Sequence, residues 1–162
     1  MEAFCTMHTI ENEELRVMIS NHGAELSGIF DKRNNREILW NADPKYWKRH
    51  APVLFPNVGR LYKDTCLIDA HMFDEGALIF DDGQITKAGI TLPDGTPYVE
   101  ISCEGFPNFG IWSAIGAPFV CLEPWMGRCD NTGYDKELSQ KPNVNTLKPK
   151  EVFDRSYVIS VK

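Results

Sequence analysis

Nowhere in the 162 residues is there an apolar run approaching the ~18 residues that cross a bilayer, which removes the helical membrane-spanning classes. The opening residues 1–14 carry too many acids for a secretory signal, so the reading is a cytoplasmic protein. An excess of positive charge is also missing. Lys and Arg number 17 against 23 Asp and Glu, and the net charge is −6. The basic residues are scattered, so nothing resembles the footprint for a phosphate backbone or an anionic lipid surface, and neither nucleic acid nor membrane is an expected partner. Cysteine is sparse: Cys5, Cys66, Cys103, Cys121 and Cys129 are odd in number and never closer than eight positions. That spacing gives neither a disulfide framework nor a CxxC metal site, and the thiols read as reduced packing residues. His8, His22, His50 and His71 show no HxH or HxxxH spacing, so no metal is expected.

Long helical periodicity is scarce as well. The 10 prolines and 12 glycines recur along most of the chain. What is present is alternation of apolar and polar residues, as in Leu15-Arg16-Val17-Met18-Ile19 and Tyr157-Val158-Ile159-Ser160-Val161, which has the period and length of strands. Further strands are predicted over 25–30, 38–40, 76–80, 87–92, 99–103 and 118–123. Turn residues separate them: Asn21-His22-Gly23, the stretch 32–35, Asp81-Asp82-Gly83 and Pro93-Asp94-Gly95 tolerate positive φ or initiate tight turns. The pattern predicts an all-β sandwich or barrel. Helix is expected only as local turns, at 44–49 behind an Asp43 N-cap with Pro44 at N1, and at 135–139. The least regular stretch, 62–74, separates two coherent blocks.

Among the acidic residues, Glu123 stands apart. It follows the apolar Pro118-Phe119-Val120-Cys121-Leu122 and precedes Pro124-Trp125. A carboxylate ending such a strand beside an indole is partly desolvated, which moves it toward the range of a general base; a strand-end Glu tied to an amide or an Arg would look the same in sequence. The run Ala51-Pro52-Val53-Leu54-Phe55-Pro56-Asn57-Val58-Gly59-Arg60-Leu61 brackets a strand between prolines and presents Arg60 at its end. Its guanidinium can fork onto sugar hydroxyls or a carboxylate, or simply be solvated after a turn glycine. Trp112, Trp125, Phe106 and Phe109 offer either a stacking wall for a sugar ring or ordinary core.

Taken together, these segments resemble the aldose 1-epimerase (galactose mutarotase-like) family. The resemblance rests on Ile10-Glu11-Asn12, Asn21-His22-Gly23-Ala24-Glu25-Leu26, Glu37-Ile38-Leu39-Trp40 and the 51–61 run. Toward the other end it rests on Ala77-Leu78-Ile79-Phe80, on 106–112 and on Pro118 through Trp125. It implies a large β-sandwich, internally shortened and forming one domain over 1–162, with blocks 1–61 and 73–162 joined by 62–72. The implied activity is interconversion of the α and β anomers of an aldohexose by acid–base ring opening, with no metal or organic cofactor. Glu123 maps onto the family's base and Arg60 onto its sugar-contacting arginine, with Trp125 beside the sugar. The family's two active-site histidines lie in a middle third that has no counterpart here, and Gly76 stands where a sugar-binding Asp is usual. Glu75, next door, points to the other face of a strand.

The resemblance therefore implies a weak or inactive epimerase, since one missing acid–base partner costs ~10²–10⁴-fold in rate. His71 and His50 are the chain's candidates for the missing acid. The alternative reading is a non-catalytic carbohydrate-binding or scaffold protein. Strand edges uncovered by the shortening would favour a homo-oligomer.

Overall fold

The computed structural model describes residues 6–40, 43, 45, 46, 53, 54 and 66–162. Among them there is no α-helix, only a short 3₁₀ turn at Leu138–Gln140, and the rest is strand and turn. The chain divides into two compact units. One comprises Met1–Asn57 with Ser113–Cys121, the other Val58–Trp112 with Leu122–Lys162.

The first unit holds a four-stranded antiparallel sheet in the order β1 (Met7–Glu11), β2 (Leu15–Ser20), β3 (Leu26–Asp31) and β4 (Arg36–Glu37). A two-stranded ladder of β5 (Leu39–Trp40) and β6 (Val53–Leu54) accompanies it. The β1–β2 turn forms because the Asn12 side-chain oxygen accepts from the amides of Glu14 and Leu15, at 2.9 and 2.7 Å, an Asx-turn that substitutes for a backbone turn. The β3–β4 turn is built on Asp31, whose side chain is fully buried. It accepts from the Arg33 amide and Nε, the Asn34 side chain and Arg36 Nε. Glu37 has a comparable role between β3 and β5: its Oε1 accepts from the amides of Ile29, Ile38 and Leu39 at 2.7, 3.2 and 3.1 Å. Beyond these ties Trp40 stacks on Phe119, ring centroids 4.6 Å apart, and Ile29, Ile38, Leu39 and Val120 are buried in the same unit.

Asp31 gives this unit a specific acid sensitivity. Burial works against its charge, but the bonds from Asn34 and Arg33 outweigh that and hold the carboxyl down to about 2 from 3.8. A depressed carboxylate contributes stability that is complete above its unfolded pKa and is lost as pH falls through the folded one. The window here runs from about pH 4 down to about 2, with a contribution of ~2 kcal/mol at neutral pH. Asp31→Asn should therefore lower the urea midpoint at pH 7 and flatten its fall between pH 4 and 2. An acid limb identical to wild type would show that Asp31 carries none of it.

The second unit contains two three-stranded sheets. In one, β11 (Cys121–Trp125), β10 (Asn108–Trp112) and β7 (Leu78–Phe80) lie in that order. In the other the order is β12 (Val158–Val161), β9 (Pro97–Ser102) and β8 (Lys87–Thr91). Pairing runs Phe109 to Phe80 and Ile111 to Leu78 in the first, and Ile159 to Ile101 to Ala88 in the second. Asp82 and Gly83 turn with φ of 57° and 67° after β7, and Gly95 with φ of 89° between β8 and β9, as the Asp-Gly signals predict. Ile90, Val99, Ile101, Phe109 and Ile111 are almost wholly buried.

Strands expected from alternation appear as β2, β3, β5, β7, β8, β9, β11 and β12, with ends shifted by a few residues. Three strands, β1, β4 and β10, have no counterpart in the alternation pattern. The stretch expected at 118–123 starts and ends later, at Cys121 and Trp125, so Glu123 lies within its strand and does not end it. Pro124 is tolerated inside β11 because that strand is the outer one of its sheet, where a missing N–H costs no ladder bond. The turn expected behind Asp43 is seen in part: its Oδ1 accepts from the Lys45 amide at 2.9 Å. Most of 44–49 lies outside the described residues, as does most of 51–61.

Candidate functional site

Strand β11 alternates its side chains, so Glu123 and Trp125 project from the same face. They are joined directly. The indole Nε1–H donates to Glu123 Oε2 at 3.0 Å, and both side chains are half-buried. This bond orients the carboxylate and leaves Oε1 with no hydrogen-bond partner among the described residues. A base that must accept a proton from a hydroxyl needs an oxygen available in that way.

The neighbouring strand makes room for the indole. A Cβ built on Gly110 of β10 would overlap Cζ2 of Trp125 and lie 2.5 Å from its Cη2. Glycine is thus required for the ring to settle against β10. Two residues along the same face, Asn108 is buried and donates from Nδ2 to Asp81 Oδ1 at 2.7 Å. Asp81 also receives Arg128 in a two-point contact, Nε to Oδ1 and Nη2 to Oδ2, each 2.8 Å. The guanidinium holds Asp81 below the usual carboxylate range, and Asp81 in turn pushes Arg128 up. Arg128 Nη1 reaches Asn131 Oδ1 at 2.8 Å, and Asn145 donates to the Met126 carbonyl at 2.5 Å. The chain leaving β11 is therefore anchored to the end of β7, to β10 and to the 143–145 segment.

The structure brings together Glu123 and Trp125 of the residues read from the sequence. Arg60 and His50 lie outside the described residues. Of the aromatic set, Phe106 and Phe109 are buried, Phe106 edge-on to Tyr157 at 6.4 Å, so they pack the interior and do not wall a site; Trp112 is half-buried. His71 is exposed, and its Nδ1 pairs with Asp74 Oδ2 at 2.9 Å. That bond pushes the imidazole above its ordinary value. No histidine among the described residues hydrogen-bonds Glu123 or Trp125. As residues of this site, Asn108, Gly110, Asp81 and Arg128 had no sequence signal; Asp81 read only as a turn residue. Asn and Gly at the start of β10 are residue types depleted in strands, and the Asp81–Arg128 pair joins positions 47 residues apart. Cys103 and Cys121 are buried, Cys66 is half-buried and Cys129 is exposed. Among the described residues no group of three or more His, Cys, Asp or Glu is arranged to hold a metal ion.

The arrangement of strands is that of galactose mutarotase-like proteins. A solved galactose mutarotase related enzyme from Lactobacillus acidophilus superposes with a TM-score of 0.81 at 19% identity, covering 97% of each chain. A galactose mutarotase-like protein from Lactobacillus casei gives 0.74 at 15%, covering 95% of this chain and 97% of the other. In sequence, residues 6–71 match the aldose 1-epimerase family model. The chain is 46% identical over 88 residues to the chromosomal protein LacX of Lactococcus lactis subsp. lactis, which is 52% of this chain and 28% of that one. The plasmid-encoded LacX matches at 46% over 58 residues, 36% of this chain and 19% of the relative. The matched stretches thus span less than a third of the curated relatives.

Proposed function

We propose that this protein binds an aldohexose against Trp125 and interconverts its α and β anomers, with Glu123 as the base. The observation that carries this reading is the Glu123–Trp125 pair, a carboxylate fixed by an indole that itself rests over a glycine. Indole faces suit the C–H side of a pyranose, while Oε1, without a hydrogen-bond partner among the described residues, suits the anomeric hydroxyl. In the reaction Glu123 accepts the O1 proton as the C1–O5 bond breaks. O5 takes up a proton, and reclosure on the other face of C1 returns both. Arg60 is assigned to the sugar hydroxyls by the family resemblance, and the match over 6–71 includes it. With water as donor to O5 the acceleration is weak; His71, held by Asp74, and His50 are the chain's own alternatives. No cofactor enters this chemistry.

A second reading, non-catalytic carbohydrate binding, is favoured by one observation: the described imidazole with a resolved partner, His71, is paired with Asp74 and makes no hydrogen bond to Glu123. Both readings require the sugar to sit on Trp125. Calorimetric titration with glucose and galactose should show Trp125→Ala weakening binding by about tenfold, ~1.4 kcal/mol, and Trp125→Phe by less. A folded Trp125→Ala protein with unchanged affinity would remove the indole from the site.

A further inference from the structure

Beside the Glu123–Trp125 face lies a cleft of about 430 Å³, within the size range of small-molecule sites. Its position follows from β10. Asn108 lines it, and Gly110, two residues along on the same face, lies under the indole. Two residues of strand separate points by about 7 Å, so the cleft opens one residue pair along β10 from the glycine that receives the indole.

The chemistry of the lining is specific. Asp81, Asp82 and Asp130 are balanced by Arg128, Lys136 and Lys141, and two of these pairs are closed, Arg128 on Asp81 at 2.8 Å and Lys141 on Asp130 at 3.0 Å. The cleft therefore offers no surplus charge to a phosphate or a carboxylate. Side-chain amides and one aromatic ring complete it, among them Gln140, Asn143 and Tyr134. Among the described residues the side chains of Gln140, Lys136 and Asp82 make no hydrogen bond or ion pair. Donors and acceptors that lie open at a concave, charge-balanced surface match a ligand carrying many hydroxyls and no charge.

We infer that this cleft is a second carbohydrate subsite, and that the preferred ligand is a neutral disaccharide or longer saccharide with its reducing unit on Trp125. The inference rests on the sugar-binding reading above and specifies its ligand class. A second ring in the cleft would contact Tyr134, Asn143 and Arg128, which are already held, and its bonds to Lys136 and Gln140 must exceed the cost of ordering those two side chains.

The test is calorimetric titration with glucose, maltose, cellobiose, lactose and glucose 6-phosphate. At least one disaccharide should bind ten times or more tighter than glucose. In Lys136→Ala/Gln140→Ala, which removes side chains without partners among the described residues, that disaccharide should fall to the affinity of glucose while glucose is unchanged. Disaccharides no tighter than glucose, or an advantage that survives the double variant, would overturn the subsite. So would glucose 6-phosphate binding tighter than every disaccharide, because it contradicts the balanced charge. If glucose binding is present and lost in Trp125→Ala while disaccharides gain nothing, the subsite alone fails. If no sugar binds, the primary reading fails and the subsite with it.

Discussion

With Glu123 as the proposed base, Glu123→Gln should retain hexose binding and lose whatever acceleration of mutarotation the wild type gives, up to the ~10²–10⁴-fold range of a general base. The substitution keeps the length and shape of the side chain. Its amide oxygen can still accept from the Trp125 indole, which in the parent donates to Oε2 at 3.0 Å, so the ring stays in place over Gly110. What is removed is the ability to take the O1 proton. Polarimetry of freshly dissolved α-glucose and α-galactose reads the rate, and titration of the same variant reads binding. Loss of rate with binding intact separates catalysis from the binding-only reading, in which the wild type gives no acceleration to lose. Wild-type rates in the variant would take Glu123 out of the chemistry.

Gly110→Ala should cost about 2 kcal/mol of stability, in the range for overpacking a filled interior, and abolish hexose binding together with it. The new Cβ would meet Cζ2, Cη2 and Cε2 of Trp125. Neither partner can give while the Trp125–Glu123 bond holds. The indole is rigid and tethered through Nε1, and β10 is the central strand of its sheet with Asn108, Phe109 and Ile111 buried. The ring must swing out, which breaks its bond to Glu123. Gly28→Ala is the contrasting case, since the obstacle there is the terminal methyl of Met18, 2.5 Å away, and a flexible thioether end can rotate aside. Chemical denaturation of both variants should place Gly110→Ala well below Gly28→Ala in stability. Equal costs would show that the indole is free to move.

The parts of the fold legible in the sequence are those set by local chemistry. Alternation in 15–19 and 157–161 gives strands because one face of each is covered, and Asp82-Gly83 and Asp94-Gly95 give turns because they tolerate the backbone required. Strand β10 was illegible for a tertiary reason. Asn108 and Gly110 break the strand pattern, yet Asn108 serves Asp81 and Gly110 serves Trp125, partners no local window contains. Strand β1 is exposed at all five positions, so it carries no burial signal and exists through its pairing with β2. At the site, the spacing of Glu123 and Trp125 could be read because a strand puts i and i+2 together. Which strand would receive the indole, and that Arg128 would anchor the following turn to Asp81, depend on contacts between distant segments.

The interleaved course of the chain governs how the protein can be made. The first compact unit is assembled from Met1–Asn57 and Ser113–Cys121, with Val58–Trp112 belonging to the other. A chain emerging from the ribosome therefore carries Trp40 without its stacking partner until Phe119 has been synthesised. β9 likewise waits for β12 to complete its ladder. Such distant pairings are closed only after a long loop has been ordered, a topology that folds slowly and leaves apolar faces uncovered in the interim. The Trp40 stack and the β9–β12 ladder thus close only once 119 and 158–161 have been made, and until then the chain carries their uncovered partners.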